Sequence, residues 1–371
     1  MSVVSIIMLC FALIGLVDRL IGNKFGIGEE FEKGFLLLGQ LVLSMMGMII
    51  IAPVLAELLS GVFDFVYNVL GVEPSIIPAS LFANDMGGAP LAKAIAKNGQ
   101  VGMYNAMVVS SMMGATVSFT IPLALGCLKK EKHRELILGL LSGIVTIPVG
   151  CIAAGFICGI PLLTLILDLL PLIVFAVIIA VGLLLAPNVC IKIFNVLGFI
   201  IKVLVSVGLG LGLIELLLGV RLVESAAPAA EGMSICLNAA AVMSGAFPLL
   251  FIVSKLLSKP MAALGRALGI NDKSTLGFLS TLANNVSTFE IMNGMDSKGS
   301  VLNSAFAVSA SFILADHLAF TLSYEPSYLL PMMVAKITSG ISAIFFALLI
   351  YNKVYNKTEA DTKKGETENV R

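Results

Sequence analysis

The sequence predicts an all-α polytopic membrane protein arranged as an inverted repeat, with about nine spans and two re-entrant hairpins. Three observations carry this. Hydrophobic residues make up 58% of the 371 and charged residues only 12%, against the roughly one quarter of charged residues that a soluble surface uses. Apolar runs long enough to cross a bilayer recur along the whole chain. Two polar interruptions of that pattern share residues at a fixed offset of 200 positions.

Taken in order, the apolar runs place spans at 3–21, 35–59, 101–126, 136–158, 162–186, 194–218, 234–254, 301–323 and 330–350. The first has no basic flank and ends in Asp18-Arg19, which fits a retained helix and not a cleaved signal. Phe31-Glu32-Lys33-Gly34-Phe35 reads as the close of an inner loop. Lys and Arg are retained on the cytoplasmic side of a membrane. Lys129, Lys130, Lys132 and Arg134 therefore mark one inner connection, and Lys255, Lys259, Arg266 and Lys273 another. Lys353, Lys357, Lys363, Lys364 and Arg371 put the C-terminus inside and, by parity, the N-terminus outside. Connections 61–75, 159–161 and 324–328 carry no Lys or Arg and face outward. Parity then makes 76–100 enter and return on the outer side and 274–299 on the inner side. All six tyrosines fall at or beyond span ends, the level that tyrosine prefers. Glu57, Asp168 and Glu215 read as interface carboxylates that snorkel.

Ser80, Ala83, Asn84, Gly99, Val101, Val108, Ser111 and Ala115 reappear as Ser280, Ala283, Asn284, Gly299, Val301, Val308, Ser311 and Ala315. The order of features repeats as well: two spans, a hairpin, two spans. The expected units are 1–160, a linking span 161–190, an inverted copy 191–350 and a hydrophilic cytoplasmic tail 351–371, expected to lack order from Thr358 onward. Inverted repeats with broken elements near the midplane are the architecture of secondary transporters.

Other classes are poorly served. The 23 basic and 23 acidic residues cancel, so no net field draws nucleic acid. Six cysteines without CxxC spacing and two histidines argue against a disulfide framework or a Cys/His metal centre, and no cofactor is expected. An enzyme would need a nucleophile within reach of a base, yet His317 is the one base near the interior and no GxSxG or HExxH accompanies it. The expected partners are a small-molecule substrate and the bilayer, and a homo-oligomer is left open.

Ionisable residues at membrane depth default to functional readings. In Phe82-Ala83-Asn84-Asp85-Met86-Gly87-Gly88-Ala89-Pro90, the glycines and proline break the helix and free backbone groups beside Asp85, a setting for a small cation. The plainer reading is that Asn84 and Asp85 cap a half-helix. Asn284 and Asn285 offer amides to a hydroxyl or an amine. Ser287 and Thr288 either join them or complete the backbone bonding of the hairpin, and Glu290 is either a ligand or a solvated interface carboxylate. Phe82 and Phe289 either meet a cation or pack. Asp316 and His317 lie about 10 Å inside one span at 1.5 Å per residue, and Lys336 as far inside the next. Asp316 and Lys336 are expected to meet, as a buried ion pair or as part of an ion or proton pathway in which Lys336 tunes Asp316 and His317.

The stretches Ala83-Asn84-Asp85-Met86-Gly87-Gly88, Ala283-Asn284-Asn285, Ala307-Val308-Ser309-Ala310 through Asp316-His317, Phe31-Glu32-Lys33-Gly34-Phe35 and Gly143-Ile144-Val145-Thr146-Ile147-Pro148 together resemble the bacterial ethanolamine-utilisation transporter family (EutH). The resemblance runs from Ile6 to about Ile350. It implies a permease of the bacterial cytoplasmic membrane that supplies ethanolamine, a small ammonium with one hydroxyl, to a cytosolic pathway. The residues suit that solute: Asp85 for the ammonium, Asn84, Asn284, Asn285, Ser287 and Glu290 around it, and Asp316, His317 and Lys336 as the coupling group. The alternative is a cation-coupled symporter for another small polar solute.

Overall fold

The computed structural model describes residues 3–128 and 130–368. Lys129 and Arg371, used above for orientation, lie outside the described residues, as do the side chains of Lys130, Lys357, Lys363 and Lys364. Every regular element among the described residues is helical: α1 (Val3–Leu20), α2 (Ile27–Leu58), α3 (Ser60–Leu70), α4 (Ile76–Leu81), α5 (Ala89–Ile95), α6 (Gly99–Cys127), α7 (His133–Ile157), α8 (Leu162–Leu185), α9 (Pro187–Leu218), α10 (Ala229–Leu268), α11 (Asp272–Ala283), α12 (Asn285–Met292), α13 (Ser297–Ala310), α14 (Asp316–Tyr324) and α15 (Leu329–Glu368).

By length and composition, 8 helices among the described residues can cross a membrane: α1, α2, α6 to α10, and Pro326–Val354 at the start of α15. They differ in depth within the bundle. The apolar window of α6 is 83% buried, whereas those of α9 and α1 are 22% and 17% buried. Thus α6 is the central post, and α1 and α9 present Leu, Ile and Val outward, as lipid-facing helices do.

The eighth expected span, 301–323, is not continuous. α13 ends at Ala310, Ser311 is extended, and Phe312 adopts φ 62°, a left-handed conformation that strains any residue with a Cβ. The Phe312 and Leu314 N–H groups donate to the carbonyls of Thr281 (3.2 Å) and Leu282 (3.0 Å) at the end of α11. One helix end thus satisfies another, the condition under which broken backbone is tolerated away from water.

Other boundaries move for local reasons. Asp18 accepts from the N–H groups of Phe25 (3.0 Å), Ile27 (2.8 Å) and Gly28 (2.9 Å), so α2 starts at Ile27 and the Phe31–Phe35 stretch is helical, not the end of a loop. α10 carries Lys255, Lys259 and Arg266 on a helix that continues past Pro248 and Pro260. The tail expected to lack order is helical in its backbone to Glu368, since extending a formed helix adds one hydrogen bond per residue ordered. Tyr104 is fully buried and donates to the Cys151 carbonyl (2.7 Å). Asp168 is buried with Asn105 (3.0 Å), and Glu215 accepts from the Ala229 N–H (3.1 Å) at the start of α10. Tyr104 and Asp168 are thus held inside the bundle, and Glu215 ties the end of α9 to the start of α10.

α4 with α5, and α11 with α12, form two helix–break–helix units, each tied at its open end. Glu73 accepts from the Lys97 and Asn98 N–H groups (both 2.9 Å). Asn271 donates through its amide to the Gly294 carbonyl (3.1 Å) and through its N–H to Asp296 (2.9 Å). Burial alone would raise the Asp296 carboxyl, but the Asn271 N–H, Ser274 hydroxyl and Gly299 N–H hold it below the usual carboxylate range. Asn105 of α6 donates to Ser75 (3.0 Å), and Asn303 of α13 to the Ser274 carbonyl (2.8 Å).

α2 and α9 touch backbone to backbone, because a Cβ on Gly208 would overlap the Gly47 carbonyl. Small residues let helices approach this closely in a bilayer. Gly208→Ala should therefore cost roughly 2 kcal/mol by overpacking, read as a lowered thermal midpoint. Gly198→Ala on the same helix, where an added Cβ meets nothing within 4 Å, should leave the midpoint unchanged or slightly raised.

Candidate substrate site

Three interruptions of helical backbone converge on one cavity of about 420 Å³. The turn Asn84–Gly88 brings Asp85 and Met86 to it, the joint between α11 and α12 brings Asn284 and Val286, and the break at 311–315 brings Phe312 and, at the head of α14, Asp316. Phe119 of α6 and Gln40 and Ser44 of α2 close the wall. Two carboxylates, two amides and a serine hydroxyl line this space without a lysine or arginine among the lining residues. The volume exceeds what a solute of four non-hydrogen atoms needs, given about 30 Å³ per liquid water molecule.

Local chemistry explains the first turn. Gly87 has φ 105°, a region open to glycine, and a Cβ there would run into Met48. The Met86 and Gly88 N–H groups both donate to the Ala83 carbonyl (3.1 and 2.8 Å), and the Ala83 N–H donates to Ser118 on α6 (3.1 Å). That serine sits in a stretch where α6 is itself distended: Asn105–Gly114 and Thr116–Thr120 are π-helical. The hydroxyls of Ser110, Thr116 and Ser118 each donate to a carbonyl four residues back, a bond that bends helices. Such distortions gather at functional sites.

Polar groups around the cavity are underused. Asn84 is fully buried, and both ends of its carboxamide lack a partner among the described residues. His317 is buried, packs its ring against Phe312 at a tilt of 40° with centroids 5.2 Å apart and leaves Nδ1 unpartnered among the described residues. Its Nε2 lies 3.7 Å from Asp85 Oδ1, which has no hydrogen bond. Buried polar atoms are normally bonded, so a cluster of orphans beside a cavity is what a polar ligand would complete.

The remaining candidates are placed as follows. Asn284 accepts from the Val286 N–H (2.6 Å) and so caps α12, which leaves its amide nitrogen for the cavity. Asn285 is buried and donates to Thr120 of α6 (2.9 Å). Ser287 and Glu290 are exposed, because the buried face of α12 runs through Asn285, Thr288, Phe289 and Met292 and the 100° step per residue turns those two away. Ser287→Ala and Glu290→Gln should each change uptake less than about twofold, within the usual range for surface substitutions. Phe82 and Phe289 are packed in the core.

Asp316 and Lys336 do not pair among the described residues. Lys336 is fully buried, and its ammonium donates instead to the carbonyls of Ser111 (2.6 Å), Ser311 (3.0 Å) and Ser309 (3.2 Å). The reason is the break at 311–315: it frees carbonyls for the lysine and takes Asp316 off the continuous rise that would have levelled the two. Sequence reasoning missed Phe119, Phe312, Gln40 and Ser44. Gln40 could have been flagged as a polar residue inside an apolar span, whereas the phenylalanines carry no signal that separates them from packing.

These features define a multi-pass membrane protein with a small acidic cavity where helix breaks meet. The chain belongs to the EutH family: the model for "Ethanolamine utilisation protein, EutH" matches residues 1–350. It is 38% identical over 368 residues to the probable ethanolamine permease EutH of Listeria monocytogenes, covering 99% of both chains. It is 35% identical over 404 aligned positions to the probable ethanolamine permease EutH of Escherichia coli, covering 98% of this chain and 99% of that one. The uncharacterised protein YxeR of Bacillus subtilis is 33% identical over 340 residues, 92% of each chain. The Listeria and Escherichia relatives carry the name of a permease and not of an enzyme. No solved structure matches the chain at a significant level.

Proposed function

We propose that this protein imports ethanolamine across the bacterial cytoplasmic membrane by alternating access. The observation that carries the reading is the convergence of Asp85, Asp316 and Asn284 on one cavity at three helix breaks. An ammonium donates three hydrogen bonds and a hydroxyl gives one and accepts two. The Asp85 and Asp316 carboxylates take the ammonium, and the Asn284 amide nitrogen meets the hydroxyl. Asn84 and His317, with their open polar atoms behind the cavity, join the substrate shell as the site changes its exposure.

The transport geometry rests on the two helix–break–helix units acting as re-entrant hairpins, 76–100 from the outer side and 274–299 from the inner. Their equivalent ties support this. Glu73 and Asn271, Asn98 and Asp296, and Asn105 and Asn303 each stand 198 positions apart and do matching work: closing the unit, capping the next helix and holding the entry strand of chain. On this reading 1–160 and 191–350 are inverted copies linked by 161–190, the C-terminus is cytoplasmic and the N-terminus is outside. Rocking of one copy against the other exposes the cavity to each side in turn.

Uptake of radiolabelled ethanolamine into proteoliposomes tests the proposal. Saturable uptake competed by unlabelled ethanolamine is expected, and a folded protein that gives no uptake above empty liposomes refutes it.

A further inference from the structure

The Lys336 ammonium is held by main-chain carbonyls alone, and they come from both halves of the chain. Ser111 lies in the π-helical part of α6, while Ser309 and Ser311 lie at the broken end of α13. At the offset of 198 set by the matching ties, Ser111 answers to Ser309. An ammonium has three N–H donors, and here each has an acceptor. Carbonyl oxygens converging from distorted helices, in place of a hydration shell, are the means by which membrane proteins bind bare alkali cations.

We infer that this carbonyl cage is a monovalent-cation site whose permanent occupant is the protein's own Lys336, a tethered cation that takes the place of a coupling metal ion. Charge in the region supports this. Lys336 is the one buried lysine or arginine among the described residues, and Asp85 and Asp316 both border the cavity. One fixed cation against two carboxylates leaves room for a single further positive charge, which is the substrate ammonium. This last step rests on the transport reading. The cage itself does not, so it is tested on purified protein without substrate.

Thermal midpoints of the full chain are measured in NaCl, KCl and choline chloride at matched ionic strength. The parent should melt at the same temperature in all three. Lys336→Ala vacates the cage, and its midpoint in sodium or potassium should exceed that in choline by roughly 5 °C, as for a ligand well above its dissociation constant. Its uptake in liposomes should fall at least about tenfold in choline and recover in the metal cation. A folded Lys336→Ala protein indifferent to the cation overturns the inference, and so does a parent stabilised by sodium or potassium over choline. Should Lys336→Ala not fold in any salt, Lys336→Met and Lys336→Arg decide. A Met variant with the parent midpoint in choline means that volume and not charge is required, which overturns the inference; folding of the Arg variant alone supports it.

Discussion

Proteoliposomes carrying Asp85→Asn should take up ethanolamine about a hundredfold more slowly than the parent at subsaturating substrate. The carboxylate lines the cavity and has no hydrogen-bond partner of its own on Oδ1, so it is free to meet an ammonium. Removing one member of a buried charge-assisted contact costs about 2–5 kcal/mol, and 1.4 kcal/mol is a factor of ten. Asn is isosteric and Asp85 makes no salt bridge to lysine or arginine among the described residues, so the thermal midpoint should stay close to that of the parent. Uptake within threefold of the parent would remove Asp85 from the substrate site and with it the proposed binding mode. His317 lies 3.7 Å away and provides the control. His317→Gln should slow uptake less than Asp85→Asn, since it removes a neighbour and not the charge that binds.

Asn84→Leu separates structure from function more sharply. The side chain is fully buried, and both polar ends are unpartnered among the described residues. An unsatisfied buried amide costs about 1–3 kcal/mol, so an apolar residue of similar volume should leave the thermal midpoint unchanged or raise it. If the amide serves the substrate, uptake should nonetheless fall by at least about tenfold, one hydrogen bond to a charged group being worth roughly 1.5–3 kcal/mol. A more stable protein that transports worse is the expected result. A variant that loses stability instead would show that Asn84 is satisfied in the fold, and one that transports normally would take it out of the substrate shell.

Much of the site was legible because it uses residue types that are costly in a bilayer. Asp85, Asn284 and Asp316 stood out as polar groups within apolar sequence, and all three line the cavity. Ser287 and Glu290 stood out by the same rule yet are exposed; composition marks a polar residue but does not say which face of α12 it occupies. Lys336 was found, but its partners were not. They are main-chain carbonyls, which every residue has, so no side chain announces them. The same blindness hid the break at 311–315: Phe312-Ile313-Leu314-Ala315 is as apolar as any span, and only the pairing with Thr281 and Leu282 opens it.

The amino-acid sequence by itself determined that this chain lies in a membrane as a bundle of helices, because 58% hydrophobic residues in long runs have no other way to leave water and satisfy their backbone. It also determined where polar chemistry is concentrated, since each buried carboxylate, amide and lysine must be offset by some partner. The tertiary structure decided which partner. Whether a helix stays whole, distends or breaks depends on hydrogen bonds supplied from positions up to 225 residues away, and hydropathy averages only over neighbours in the chain. The cavity exists because three such breaks meet at one place, and that meeting is a property of packing.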